Sequence, residues 1–535
     1  MMPDIKYCNE NRTGIERIYP VLVLLVGAVL LFYNLGHYYL WGDEGTTAMF
    51  GKNILKFGLP YGFDGRNAFY VDRTELPLRE PWLILYLSAL SIHWFGFDET
   101  GARMLFAVIG FLAIVMQYVF VRNYFHNDRL ALINLVLIVT SISVILFLRQ
   151  VRYYSTVMFL TPLIGYAYLK YKGRAWEILM VALLFLLFFF TNYLVAIPVL
   201  TAMAISFFVF DDRQKAVSFF LKPLPLVLLV IFPFGLWLCK PGWSDHPGVF
   251  RNIHPLDFGR IIYLYWKDYN ATQLLPVIMI PILLILWWKE WKSNDHDYRV
   301  RIRKEVSILI VIVMFTLILS ILSPQYSRAQ HSDIRHATAI FFFLLLIQTF
   351  VLERVVVWHR WTSYLLIVVL IFTNVVTFMP FRSYLSEYVA ENAKPFDNSV
   401  KKAVLFLEKR IHQDDMILVN PNHMLGTMQY YLGEKLLFCD VVDGNNPSVQ
   451  VHGRKYPSYI YSSDVIPDWV VLFGWETDQE HTKRHLEKLL LKDYRAYRLP
   501  VFGPDVSRPE LFWRSFSPVT GYPDALGLYI LERIR

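Results

Sequence analysis

Eleven apolar runs, each 15 to 22 residues long, occupy the first 380 residues, at 18–36, 101–121, 130–148, 153–170, 176–191, 193–210, 218–239, 273–288, 306–322, 337–351 and 361–379. A helix needs about 20 apolar residues to cross a bilayer, and a backbone in lipid must satisfy its own hydrogen bonds. Runs of this length, repeated this often, leave a multi-span α-helical membrane protein as the fold class, with about 11 to 13 transmembrane helices. The composition agrees: 55% of residues are hydrophobic and only 18% charged, which excludes disordered and fibrous classes and an ordinary soluble enzyme. The last 155 or so residues contain no such run, so the expected organisation is a membrane module over 1–380 and a soluble α/β domain over 381–535. Two stretches leave the count open. Residues 81–96 read as a juxtamembrane or re-entrant helix containing Ser88, Ser91 and His93, and 176–210 reads as two spans or one bent helix. The first run is followed by Asn34-Leu-Gly-His-Tyr-Tyr-Leu-Trp and no small-residue cleavage site, and it reads as a retained anchor.

Net charge is +8, but the cations fall in short clusters between apolar runs. Lys170, Lys172 and Arg174 crowd one connection, and Lys289, Lys292, Arg299, Arg301, Arg303 and Lys304 another, which makes both cytoplasmic. No basic stripe exists that could track a phosphate backbone, so nucleic acid is not an expected partner. Cys8, Cys239 and Cys439 are too scattered for a disulfide framework or a zinc site. Alternation then places segments 37–80, 149–153, 240–272 and 323–336 outside, with everything after Met379. Acids, arginines and aromatics gathered on one side at bilayer depth are costly unless they line a water-filled cavity, so these segments form the candidate site.

Within the first outer loop, 37–80, Trp41-Gly-Asp43-Glu44 precedes an interfacial helix. The two carboxylates suit a helix N-terminus facing the dipole, and equally a general base held toward an acceptor hydroxyl. Arg149-Gln-Val-Arg152-Tyr153 offers two guanidiniums three residues apart, able to point the same way toward a phosphate or to snorkel to headgroups. The stretch ending in His331-Ser-Asp-Ile-Arg335-His336 brings a further cation to the start of a late run. Trp243, with neighbouring polar and aromatic residues, suits sugar stacking or an aromatic belt. Glu80, His331, His336 and Trp243 are thus candidate substrate contacts. No cofactor is required by this set, and the spacing of its acids and histidines leaves a divalent cation open without assigning one.

In order and spacing these segments resemble the GT-C glycosyltransferases, within them the protein O-mannosyltransferase and aminoarabinose transferase branch (glycosyltransferase family 39 and its relatives). The resemblance covers roughly residues 18–380. It rests on Asp43-Glu44, on Glu80-Pro81-Trp82, on Phe95-Gly-Phe-Asp-Glu-Thr-Gly-Ala-Arg103, on Arg149-Gln-Val-Arg152-Tyr153 and on Arg335-His336. Gln150 stands where an acid is usual, and Glu80 where a basic residue precedes the proline. The resemblance implies transfer of a sugar from a polyprenyl-phosphate carrier to a lipid, glycan or protein acceptor on the extracytoplasmic face, with inversion. Asp43 is then the base and Glu44 its neighbour that orients Asp43 or the acceptor. Arg149, Arg152, Tyr153 and Arg335 are the donor-phosphate contacts. A bacterial inner membrane is the expected location. The competing expectation is a transporter or flippase of lipid-linked glycans, which mid-span charges and paired broken helices would favour.

In the tail, a helix is expected over 398–412 and strands over 415–419, 435–439, 468–473 and 527–532. Segments 420–423 and 474–476 follow the first and third strands, where open α/β sheets place ligands. The tail accordingly reads as an acceptor-binding or partner-docking module, or as covering structure.

Overall fold

The computed structural model describes residues 14–67, 80–238, 255–293, 295–322, 332–358, 361, 365, 384–393, 398–420, 424–439, 450–451, 454–455, 466–473, 494–500 and 528–534. The helices of the first 358 residues are α1 (Gly14–Phe32), α2 (Gly42–Phe57), α3 (Trp82–Phe95), α4 (Glu99–Phe125), α5 (Asp128–Thr140), α6 (Ile142–Leu148), α7 (Tyr154–Lys170), α8 (Ala175–Thr191), α9 (Tyr193–Phe210), α10 (Arg213–Leu221), α11 (Leu224–Leu238), α12 (Pro255–Ala271), α13 (Met279–Trp291), α14 (His296–Leu322), a 3-10 helix (Ile334–Ile340) and α15 (Phe341–Trp358).

Polar residues punctuate the apolar sequence and decide where these helices start and stop. The side chain of Asp98 accepts from the Gly101 N–H at 2.6 Å and caps α4, and Asn127 does the same for α5 from Leu130 at 3.0 Å. The expected run 130–148 bends by 71° between α5 and α6. Asn192 ends α8 and caps α9 through the Val195 N–H, so 176–210 is two helices. Among the described residues, five stretches are long and apolar enough to cross a bilayer: Glu99–Phe125, Tyr193–Phe210, Arg213–Pro233, His296–Leu322 and Ile334–Val356. The bent α5–α6 pair makes a sixth, and Ile18–Phe32, Trp82–Phe95 and Ala175–Thr191 are shorter apolar helices. The chain is an integral membrane protein. These lengths do not establish the expected 11 to 13 crossings, and the 361–379 run lies almost wholly outside the described residues. With 14 residues, about 21 Å, α3 is shorter than the roughly 30 Å hydrocarbon core.

Buried charge inside the bundle is paired. Arg354 donates to Glu290 twice at 2.7 Å and to Glu305 at 2.9 and 2.8 Å, tying α15 to α13 and α14. Arg301 joins Glu305 to Glu353 at 2.8 and 2.6 Å. Two guanidiniums thus serve three carboxylates away from water, an arrangement that holds only while every member is satisfied.

The C-terminal residues form α16 (Tyr384–Ala393), α17 (Ser399–Glu408), α18 (Leu425–Leu432) and strands β1 (Met416–Asn420), β2 (Leu437–Cys439), β3 (Gln450–Val451), β4 (Arg454–Lys455), β5 (Trp469–Phe473), β6 (Tyr494–Leu499) and β7 (Leu528–Arg533). Five strands make a mixed sheet in the order β2-β1-β5-β7-β6, parallel across β2, β1 and β5 and antiparallel where β7 meets β5 and β6. Alternation decides the faces: Ile417, Val419, Val471 and Ile530 pack under α17 and α18, whereas Leu418, Val470 and Leu531 pack on the opposite side. The four expected strands are present. Strand β6 and the short β3–β4 ladder were not foreseen, and segments 421–423 and 474–476 lie outside the described residues.

The sheet region is bolted to the membrane module through α18, which lies on α2. Gly45 and Gly426 let the two backbones meet: a Cβ on Gly45 would sit 2.5 Å from the Thr427 Cα, and one on Gly426 3.0 Å from the Thr46 Cα. Thr427 Oγ1 donates to the Gly42 carbonyl at 3.1 Å. Tyr431 accepts from the Leu40 N–H at 2.9 Å and donates to Glu99 at 2.8 Å. Asn67, fully buried, donates to the Gly433 and Leu436 carbonyls and accepts from the Phe438 N–H at 2.9 Å, fixing the first loop to β2.

Candidate active site

Helix α2 starts at Gly42 and ends where Gly58 takes a left-handed conformation, φ +80°, with its N–H on the Ile54 carbonyl. Asp43 and Glu44 therefore sit in its first turn, where the helix dipole favours negative charge. Successive helical residues point about 100° apart, so the two carboxylates face different surroundings.

Glu44 turns inward and is fully buried. Arg103 of α4 grips it with two N–H groups at 3.0 and 2.5 Å, and the Val151 N–H donates to the same carboxylate at 2.9 Å. The remaining terminal nitrogen of Arg103 donates to the Leu35 and Tyr38 carbonyls at 3.1 and 2.7 Å. Glu44 thus ties together α2, α4, the end of the first anchor and the 149–153 connection, with both of its oxygens engaged inside the protein.

Asp43 turns the other way, a quarter exposed. Its Oδ2 accepts from Arg335 Nη1 at 2.5 Å and lies 3.6 Å from Arg152 Nη2. Arg335 is itself held by Asp333 through two parallel bonds of 2.7 and 2.8 Å, the geometry that orients a guanidinium most firmly. Burial opposes the charge on Asp333, but Arg335 and then His336 outweigh it and hold this carboxyl well below the usual carboxylate range. Arg152 donates to Thr47 Oγ1 at 2.9 Å, approaches Glu80 Oε2 at 3.9 Å and packs over the Tyr153 ring. Its Nε is buried without a hydrogen-bond partner among the described residues. Tyr153 OH and His336 Nδ1 lie 3.1 Å apart, and His336 Nε2 is 3.4 Å from Asp333. Asp268 of α12 accepts from the Ser332 N–H and Oγ at 2.6 and 2.7 Å, so all four outer segments meet here.

Of the residues singled out from sequence, Asp43, Glu80, Arg152, Tyr153, Arg335 and His336 converge. Arg149 does not join them. It donates to the Tyr33 and Asn34 carbonyls at 3.1 and 2.9 Å and to Tyr388 of α16, clamping the end of the first anchor, so its guanidinium is engaged elsewhere than the Asp43 cluster. Glu44 is likewise inside the protein. His331 and Trp243 lie outside the described residues. Asp333, Thr47 and Arg103 were not assigned roles from sequence. Asp333 carried a signal, an acid two residues before Arg335, whereas the Glu44–Arg103 pair spans 59 residues and has no local mark. Among the described residues, no group of three or more His, Cys, Asp or Glu is arranged to hold a metal ion.

No protein-family model matches the chain. A 163-residue stretch is 28% identical to an uncharacterized protein of Aquifex aeolicus strain VF5, and the match spans 30% of this chain and about a third (31%) of that relative. Among solved structures the chain is similar to the archaeal oligosaccharyltransferase AglB from Archaeoglobus fulgidus, in complex with an inhibitory peptide and a dolichol-phosphate. The TM-score is 0.48 at 11% identity over 90% of this chain and 69% of that one. It is also similar to ArnT from Cupriavidus metallidurans bound to undecaprenyl phosphate, with a TM-score of 0.40 at 15% identity over 79% and 76% of the two chains.

Proposed function

We propose that the chain transfers a sugar from a polyprenyl-phosphate carrier to an acceptor hydroxyl or amine. The observation that carries this reading is one carboxylate, Asp43, facing two guanidiniums, Arg335 at 2.5 Å and Arg152 at 3.6 Å, delivered from three separate segments at a membrane boundary. Guanidiniums are suited to the phosphate of a lipid donor, and a carboxylate beside them is suited to an acceptor proton. As the C1–O bond to phosphate breaks, its electron pair goes to the phosphate oxygen, and Arg152 and Arg335 stabilise the charge that develops there. The acceptor oxygen or nitrogen attacks C1 from the opposite face and passes its proton to Asp43, so configuration inverts. Glu44, Arg103 and Arg149 position this machinery: the first two fix α2 against the 149–153 connection, and Arg149 fixes the first anchor. Tyr153 and His336 line the donor side.

Orientation follows from α14. Its first three turns carry Arg299, Arg301, Arg303 and Lys304, and its other end, Leu322, lies roughly 27–35 Å from them, about ten residues of sequence before Asp333 and Arg335. Basic residues mark the cytoplasmic side, which supports a site on the extracytoplasmic face. A bacterial inner membrane is the proposed location.

The test is consumption of radiolabelled polyprenyl-phosphate sugars by the purified protein in detergent, with a membrane extract as acceptor source. Turnover of one donor, lowered about 10²- to 10³-fold by Arg335→Ala, supports the reading. Passage of the intact lipid across a reconstituted bilayer without consumption of any donor would replace it with the transporter.

A further inference from the structure

Glu80 places a carboxyl beside the guanidinium that the proposed donor phosphate must use. It precedes Pro81, the extended residue that opens α3, and its Oε2 lies 3.9 Å from Arg152 Nη1. The other terminal nitrogen of Arg152 is 3.6 Å from Asp43, so one guanidinium stands between two carboxylates. The charged groups facing Glu80 are Arg152 from the α6–α7 connection, Asp43 from α2 and Arg335 from the 3-10 helix. A phosphate seated on Arg152 and Arg335 adds negative charge to this group. An ionised Glu80 would repel it, whereas a protonated Glu80 has an O–H to donate.

We propose that Glu80 acts as an acid toward the donor: its O–H donates to the phosphate oxygen bonded to C1 and gives up the proton as that bond breaks. This rests on the transferase reading above. The balance is complete. The C1–O pair goes to the phosphate oxygen, which takes the Glu80 proton, while the acceptor proton goes to Asp43, so one proton leaves and one enters the protein per turnover. Burial supports the acid form: it raises the Glu80 carboxyl above its ordinary range, Asp43 adds to the rise, and Arg152 and Arg335 only partly offset it.

The experiment has two readouts on full-length protein in detergent. The first is calorimetric binding of undecaprenyl phosphate in buffers of different ionisation enthalpy, at a pH where free Glu80 is ionised. The wild type should take up about one proton more per lipid bound than Glu80→Gln, which keeps a donor but cannot ionise and shares any change at the lipid phosphate itself. The second is the pH profile of kcat/KM for donor consumption. The wild type should lose rate as pH rises and Glu80 ionises, while Glu80→Gln should run roughly 10- to 100-fold slower with that alkaline limb flattened. Equal proton uptake by wild type and Glu80→Gln overturns the proposal, as does a Glu80→Gln variant with unchanged rate and unchanged limb. Failure of the transferase reading looks different: no donor is consumed by the wild type at any pH, whatever the binding calorimetry gives.

Discussion

Arg335 Nη1 donates to Asp43 Oδ2 across 2.5 Å, joining residues 292 positions apart in the chain. The contact sets the terms of the proposed reaction, because a lipid phosphate and the Asp43 carboxylate compete for the same N–H groups. In the proposed reaction a phosphate on Arg335 would free Asp43 to accept a proton, which would make donor binding and activation of the base one event.

Arg335 is expected to need its planar fork, since Asp333 holds two of its nitrogens while the third reaches Asp43. Arg335→Ala should lower kcat/KM by about 10²- to 10³-fold, the loss typical of a group that stabilises developing charge. Arg335→Lys keeps the charge but cannot serve both carboxylates, and should recover only part of it. Steady-state kinetics on the purified variants checks the order.

Glu44→Gln should destabilise the protein by about 3–5 kcal/mol, because it leaves Arg103 buried without its counter-charge. Thermal unfolding in detergent measures it. The double replacement Glu44→Leu with Arg103→Met, which removes both buried charges, should regain part of the loss in stability.

The α2–α18 crossing predicts that the sheet region is part of the active enzyme. Gly426→Val must push α18 off α2, at a cost of about 1–3 kcal/mol for overpacking. Limited proteolysis should then cut between the two regions, and turnover should fall while the helical bundle stays folded. Unchanged turnover with the regions separated would assign the sheet to another task.

Asp333 has a lowered proton affinity in the folded protein, so the stability it contributes is complete above its unfolded value near about pH 3.9 and is lost as pH falls through the lower folded value. The difference in unfolding free energy between wild type and Asp333→Asn should therefore shrink as pH falls below about 4. Chemical denaturation across that range checks the sign.

Much of the fold was legible because its signals are local. Runs of apolar residues mark the helices, and the short continuous apolar runs Met416–Asn420 and Trp469–Phe473 mark strands buried on both faces. The convergence of Asp43, Arg152 and Arg335 was legible through their placement in segments expected on one side. The division of labour within each motif was not. Asp43 and Glu44 look alike in sequence, and only the rotation of α2 sends one to Arg335 and Arg152 and the other to Arg103. Arg149 and Arg152 were read as one pair, but the connection after α6 is not a continuous helix, so they part: one reaches the Tyr33 and Asn34 carbonyls and the other Thr47. Such pairings depend on residues tens to hundreds of positions away and leave no local pattern.

The most direct measurement compares wild type and Asp43→Asn for binding of undecaprenyl phosphate and for turnover of the donor sugar lipid. Removing the competing carboxylate should tighten lipid binding by about tenfold, some 1.4 kcal/mol, while turnover falls by about 10²-fold or more. A variant that binds the lipid no better than wild type and still turns over donor would contradict the account.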